Sequence, residues 1–305
     1  MYLSMLPAAL AIFIYELAHL AAEVKMRKKR CGRCRAVVIV PTKRPQSLAA
    51  FSGLVDYVVV DSEDEARQAE ALGFRYLVNK YGGKSGALAT ALEEVEADAY
   101  VFVDDDAVPG VWLEELKEAG CCGFATAYRW IVDDLLQNTF SLGGLDWMAW
   151  RRTRFLYGGA MAVPRWAKQA AVKALLSCPV DDMALTAVAS GRIEVLPVLV
   201  PMRRAGDALE FMLRQATAAK LGNPLLWAVE LLYYLAWTVA AVYMPALLVI
   251  HAARTALRSR RALGKIDWRQ VALSPVERPL QAAIFMASAF AKCFRWHGRR
   301  VCKRC

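Results

Sequence analysis

Between residues 36 and 103, four short apolar, β-branched runs alternate with segments of helical periodicity. The runs cover 36–40, ending at Pro41; 57–60, ending at Asp61; 74–78; and 99–103, ending at Asp104. Between them, 63–72 and 86–95 repeat apolar residues at about 3.6-residue spacing and read as helices. Strands separated by helical stretches of roughly 10–15 residues imply an α/β fold with a mostly parallel sheet. Such a sheet places a nucleotide-type site at the carboxyl ends of its strands. No internal repeat or low-complexity linker interrupts the pattern.

Familiar nucleotide motifs do not fit this frame. Gly82-Gly83-Lys84-Ser85 resembles the end of a phosphate-binding loop, but the first glycine of that motif would fall at Val78. No G-x-G-x-x-G follows the first strand, so a dinucleotide cofactor has no support. The three histidines, His19, His251 and His297, all lie in or beside apolar runs. A histidine-based triad or a multi-histidine metal site in the α/β region is therefore excluded.

What remains is carboxylate chemistry. Asp104-Asp105-Asp106 ends a buried strand, and strand periodicity points Asp104 and Asp106 one way and Asp105 the other. Two co-facing carboxylates repel unless a cation lies between them, and oxygen ligands favour Mg2+ or Mn2+ with positions left open for substrate phosphates. The plainer alternative is an acidic turn before Pro109-Gly110. A second pair, Asp181-Asp182, opens a helical stretch at 183–190 that Gly191 ends, where acids also serve as ordinary helix N-terminal residues. A further strand is expected at 193–200.

The ends of the chain have a different character. Residues 3–24 form an apolar run long enough to cross a hydrocarbon core of about 30 Å, followed by basic residues at 25–30. Positive charge after the run reads as a retained anchor, with residue 25 onward cytoplasmic. Glu16 and His19 lie one turn apart within it and could form a buried polar contact. A second span is expected at 225–253, kinked at Pro245 and with Glu230 near its cytoplasmic end; the 15-residue run at 280–294 is marginal as a third. The basic stretch 254–278 between them fits poorly outside the cell, so a hairpin at 225–253 or an interfacial helix carrying Leu257, Leu263, Ile266 and Trp268 stays open.

Charge follows this division. The chain is +10 overall, yet residues 36–253 carry 19 basic and 25 acidic residues, and the surplus sits entirely at the ends. A basic nucleic-acid-binding domain is thereby excluded. Cys31-Gly-Arg-Cys34 and Cys302-Lys-Arg-Cys305 could supply Cys31, Cys34, Cys302 and Cys305 to one structural zinc ion, form disulfides, or stay free. Asparagine occurs only at 79, 138 and 223, which leans towards a thermophile. The stretch 142–154, with Trp147, Trp150, Arg151, Arg152 and Arg154, suits either a membrane-facing surface or a core helix with a basic face.

In series, Pro41-Thr42 after the first strand, Asp61 after the second, Gly83-Lys84-Ser85-Gly86-Ala87-Leu88, Asp104-Asp105-Asp106, Tyr157-Gly158-Gly159-Ala160-Met161-Ala162, Asp181-Asp182-Met183-Ala184-Leu185 and Ser190-Gly191 resemble a known family. Over about residues 36–220 the chain is similar to the GT-A domain of glycosyltransferase family 2, in the membrane branch with ceramide glucosyltransferases and cellulose synthases, and its composition suggests an archaeal member. It departs from the pattern at Lys43-Arg44, where an acid is common, and at Arg214-Gln215-Ala216-Thr217, which stands where a QxxRW motif is expected.

The resemblance implies a division into an anchor (1–24), a GT-A domain (25–208), an interfacial helix (209–224) and a C-terminal transmembrane or interfacial region (225–305). It implies donor contacts from Pro41, Thr42, Asp61, Lys84, Asp104, Asp105, Arg214 and Gln215, a divalent ion on Asp104 and Asp106, and Asp182 as general base. The implied reaction is inverting transfer of mannose or glucose from GDP-mannose or UDP-glucose to a lipid or polyprenyl-linked acceptor, by a multi-pass membrane protein with a cytoplasmic catalytic domain. A small polysaccharide synthase, a transporter subunit and a non-catalytic nucleotide-binding scaffold are the alternatives.

Overall fold

A computed structural model describes residues 2–26, 32, 34–296 and 299–302. The first half follows the expected alternation: α1 (Tyr2–Lys25), β1 (Ala36–Pro41), β2 (Tyr57–Val60), α2 (Glu63–Ala71), β3 (Tyr76–Val78), α3 (Gly83–Glu94) and β4 (Ala99–Val103). The third strand starts later than expected because residues 73–74 turn out of α2: Gly73 has φ +78° and the Phe74 N–H donates to the Ala69 carbonyl. Then come α4 (Val111–Gly120), β5 (Phe124–Thr126), β6 (Arg129–Ile131), α5 (Leu135–Ser141), α6 (Gly143–Ala149), β7 (Ala160–Pro164), α7 (Lys168–Ser177) and α8 (Asp181–Ala189). The single strand expected at 193–200 is instead two, β8 (Ile193–Val195) and β9 (Val200–Met202). Pro197 lies between them, and with no N–H it cannot continue a ladder.

The main sheet has the order β3-β2-β1-β4-β7-β5-β8. Pairs β1–β2, β2–β3, β1–β4 and β5–β8 are parallel, while β7 runs antiparallel to both β4 and β5. The strand order reverses between β1 and β4, which opens a crevice at their carboxyl ends. All five residues of β4 are buried, as a strand covered on both faces must be.

The C-terminal region holds α9 (Ala208–Gly222), α10 (Pro224–Tyr243), α11 (Ala246–Leu263) and α12 (Trp268–Ala289), then the hairpin β10 (Phe294–Trp296) and β11 (Arg299–Val301). The span expected at 225–253 is broken rather than kinked. Met244 is extended (φ −136°, ψ 81°), and Pro245 starts a new helix because its ring and missing N–H exclude it from the preceding one. Two helices, Leu6–Lys25 and Pro224–Tyr243, are long and apolar enough to cross a membrane. The marginal run at 280–294 is not among them: its helical part is the end of α12, whose inward face carries Gln270, Ser274, Glu277, Arg278 and Gln281.

The basic stretch 254–278 is not a headgroup-facing loop. Arg254, Arg258 and Arg278 are buried and meet carboxylates from α1 and α6. Arg254 pairs with Glu16, Glu23 and Asp146; Arg258 with Glu23 and Asp146; Arg278 with Asp146. His251 faces Glu277 at 3.0 Å. Burial alone would raise the Asp146 carboxyl, but Arg254, Arg278 and Arg258 outweigh it and hold it well below the usual carboxylate range. Glu16 and His19 do not bond each other: Glu16 takes Arg254 and the Tyr233 hydroxyl, and His19 accepts from the Trp150 indole at 2.7 Å. The cluster ties α1, α6, α11 and α12 into one body.

The proposed four-thiolate zinc site is contradicted where it can be seen. Cys34 is bonded to Cys121 (S–S 2.00 Å) and Cys302 to Cys293 (2.17 Å), and a disulfide sulfur is no thiolate ligand. Cys31 and Cys305 lie outside the described residues, as does His297.

Candidate active site

The crevice at the carboxyl ends of β1, β2 and β4 collects most of the residues singled out in the sequence. Pro41 closes β1, and the Thr42 hydroxyl donates to Asp105 Oδ2 at 2.5 Å. Strand β4 ends at Val103 and Asp104–Asp106 form a turn closed by the Ala107 N–H on the Asp104 carbonyl, so the alternation expected from strand periodicity does not extend to the three acids, and the acidic turn weighed as the alternative is what forms. Asp61, just beyond β2, pairs with Lys43 at 3.0 Å and accepts from Asn79 Nδ2 at 2.7 Å. Lys43, at the departure from the family pattern, thus pairs with an aspartate expected to contact the donor. Asn79 also donates to the Gly83 carbonyl at 3.0 Å, fixing the loop that begins α3.

Lys84 is the hub. Its ammonium lies 2.6 Å from Asp104 Oδ1 and 3.1 Å from Asp181 Oδ2, and it donates to the Gly158 carbonyl at 3.0 Å. A cation in the first turn of a helix opposes the macrodipole, so two carboxylates are needed to hold it there. Burial would discharge the ammonium; Asp104 and Asp181 overcome that and push its pKa up. Gly158 must be glycine here: a Cβ would stand 2.9 Å from Asp181 Oδ2 and 3.3 Å from Lys84 Nζ.

Neither member of the second acid pair caps its helix. The residue before α8 is Val180, with no side-chain cap, and Asp181 turns inward to Lys84. Both acids do stand in the first turn of α8, where the macrodipole favours them, so the plainer reading of the pair holds for their position though neither is the cap. Asp182 faces the other way, into a cavity of about 470 Å3 between the sheet domain and the C-terminal helices. Its Oδ1 is buried without a hydrogen-bond partner. Burial, followed by the neighbouring Asp181 carboxylate, pushes the Asp182 carboxyl up to about 7.

Asp106 has the same character: one oxygen is buried without a partner, and burial, then Asp104 and Asp105, push it up to about 7. Among the described residues no group of three or more His, Cys, Asp or Glu side chains could hold a metal ion unaided. Asp104 and the orphaned Asp106 oxygen nonetheless fit a hard divalent cation that takes its remaining ligands from a diphosphate and water.

The cavity is walled by Tyr128, Phe155, Leu156 and Met183 on the domain side and by Trp227, Tyr234 and Phe285 on α10 and α12. Gln215 and Ala216 of α9 line it, while Arg214 is half-buried beside Phe211, 5.8 Å from that ring. Trp147, Arg152 and Arg154 also line the cavity, whereas Trp150 is 39% exposed and packs against α1. Sequence reasoning missed Asp181 as the partner of Lys84, Asn79 as the partner of Asp61, and Arg129. The last was visible as a lone charge in the run 124–131, otherwise uncharged.

No protein-family model matches the sequence, and no curated protein does. Among solved structures, a mannosyltransferase from Pyrobaculum calidifontis, in complex with GDP-Man and Mn2+, is similar over 94% of this chain and 97% of its own, with 17% identity and a TM-score of 0.51. A glucosyl-3-phosphoglycerate synthase from Mycobacterium tuberculosis, in complex with UDP, matches over 67% of this chain and 82% of its own at 19% identity and a TM-score of 0.41. A mannosyl-3-phosphoglycerate synthase from Rubrobacter xylanophilus matches 59% of this chain and 71% of its own, at 15% identity and a TM-score of 0.37. The first likeness runs through the C-terminal helices as well as the sheet, and it establishes the fold: a GT-A architecture with helices added at both ends.

Proposed function

We propose that the chain is a metal-dependent, inverting glycosyltransferase that moves a hexose from a nucleotide sugar, GDP-mannose or UDP-glucose, to a lipid or polyprenyl-linked acceptor at the cytoplasmic face of a membrane. The observation that carries this reading is the seating of Asp182. It is a carboxylate poised near neutral pH that faces an aromatic cavity, and Asp181 beside it connects through Lys84 to the Asp104–Asp106 cluster.

In this reading Thr42, Asp61 and Asp105 line the nucleotide end of the crevice, and Asp104 and Asp106 hold the divalent ion. When bound, that ion neutralises the charge growing on the departing nucleoside diphosphate. Lys84 keeps Asp104 and Asp181 in place and adds positive charge on the same side. Asp182 takes the proton from an acceptor hydroxyl as its oxygen bonds to the anomeric carbon and the bond to the diphosphate breaks. The displacement inverts that centre, and Asp182 ends protonated.

Membrane attachment is supported by the surface of α1 and α10. Their inward faces carry Glu16, Glu23 and Glu230, whereas Leu6, Leu10, Ile14, Leu225, Leu232 and Val242 are exposed on the outside. Apolar outside and polar inside is the arrangement lipid favours. The direct test is release of GDP or UDP from the corresponding sugar donor by the full chain in detergent with Mn2+, with lipid extraction of the labelled product. Transfer should stop in excess EDTA and return with Mn2+; full turnover in EDTA refutes the role of Asp104 and Asp106. Donor binding with no transfer to any lipid acceptor would favour a non-catalytic scaffold.

A further inference from the structure

Lys84 lies in the first turn of α3, yet its ammonium sits among oxygens drawn from elsewhere in the chain. They are Asp104 Oδ1 at 2.6 Å, just past β4, Asp181 Oδ2 at 3.1 Å, in the first turn of α8, and the Gly158 carbonyl at 3.0 Å, ahead of β7. The lysine side chain is 8% exposed and that of Asp181 is fully buried. Neither Asp181 oxygen has a hydrogen-bond partner, and its ion pair among the described residues is with Lys84. A Cβ at Gly158 would crowd both that carboxylate and the ammonium, so the cage closes around this cation. Carboxylate and carbonyl oxygens are the donors a hard cation selects, and the chain fills them with a cation of its own.

The consequence falls on the neighbouring ion site. Asp104 commits one oxygen and much of its charge to Lys84. What is left for a divalent ion is its other oxygen together with Asp106, whose buried Oδ1 has no partner. Among the described residues, no three His, Cys, Asp or Glu side chains are grouped to hold a metal ion. The ammonium also repels a second cation at the carboxylate the two would share. A nucleoside diphosphate removes both obstacles at once, since it brings further oxygen ligands and negative charge.

We propose that Lys84 is a resident cation that screens Asp104 and Asp181 and makes divalent-ion binding conditional on the nucleotide. Without a donor the ammonium holds these carboxylates, and the ion is retained only in company with a diphosphate. This positioning role rests on the glycosyltransferase reading above, and within it sets the order in which ion and donor bind. Removing the ammonium leaves Asp104, Asp106 and Asp181 unscreened, so a free divalent ion should then bind better rather than worse.

The full chain in detergent is titrated with Mn2+ alone, with GDP present and with UDP present, and free Mn2+ is read from its electron paramagnetic resonance signal. The wild type is expected to bind Mn2+ at least about tenfold more tightly with the nucleotide it accepts than without. Lys84→Met should tighten binding of Mn2+ alone by about tenfold or more, the effect of deleting one charge a few ångströms away, and shrink the gain from nucleotide. Lys84→Arg keeps the charge and should stay within about threefold of the wild type for Mn2+ alone. Loss of a merely structural residue would loosen the ion, so unchanged or weaker binding of Mn2+ alone by folded Lys84→Met overturns the proposal. Should that variant not fold, Lys84→Gln, whose amide can still donate to the Gly158 carbonyl, takes its place under the same criterion. A wild type that binds GDP or UDP yet holds Mn2+ equally well without them also overturns it. Failure of the wild type to bind GDP, UDP or their sugar conjugates at any Mn2+ concentration strikes the glycosyltransferase reading itself, and this role with it.

Discussion

Asp182 and Asp181 are neighbours in sequence with opposite fates, because a helix turns consecutive side chains by about 100°. Asp181 is neutralised by Lys84, while Asp182 is left half-buried with an orphaned oxygen. Replacing Asp182 by Asn should leave nucleotide-sugar binding intact and reduce transfer by about a thousandfold, the usual scale for losing a general base. Calorimetry and nucleotide release check the two halves separately. A base must be ionised to act, and burial raises this one to about 7. Transfer should therefore be flat above about pH 7 and fall by about tenfold per unit below it. In Asp182→Asn the residual rate should lose that limb. Asp104, Asp106 and Asp182 were legible in the sequence because their signal is local: acids at the end of an apolar strand and at the start of a helix. The partner of Lys84 was not, since Asp181 lies far along the chain and only the sheet brings it near.

At the scale of elements, the sharpest departure from expectation is α11. Its arginines belong to the basic stretch for which a hairpin or an interfacial helix stayed open, yet Arg254 and Arg258 point inward onto Glu16, Glu23 and Asp146. Periodicity carried the hint, because 254 and 258 share one helix face with the buried Ile250 and His251. Nothing local could name acids from α1 and α6 as their partners. Breaking such a set leaves charges buried and unpaired, which is costlier than never having made it. Arg254→Leu should accordingly destabilise the protein by about 3–5 kcal/mol, read by denaturant or thermal unfolding in detergent. A change below about 1 kcal/mol would mean that water reaches the cluster and relieves it.

Across the whole molecule, α1 is part of the body formed by the C-terminal helices rather than a separate tether. Its inner face reaches the catalytic domain at Asp146 and Trp150, close in sequence to the cavity-lining Trp147. The outer faces of α1 and α10 carry exposed apolar side chains, and the proposed membrane attachment would rest on them. Flotation should find the full chain with anionic vesicles even at 1 M salt. Serine at Leu10, Ile14, Leu232 and Val239 together should release it while nucleotide binding persists, since these side chains lie on the exposed outer faces, away from the crevice. The sequence by itself determined the α/β alternation, the strand ends that carry the acids, and the apolar runs, because each depends on periodicity within a few turns of chain. Only the tertiary structure decided which charges neutralise one another, that the cysteines at 34 and 302 part to separate disulfides, and where the aromatic cavity that Asp182 faces lies. Those outcomes rest on contacts between residues tens to hundreds of positions apart, and a charge or a thiol carries no local mark of the partner that folding will bring to it.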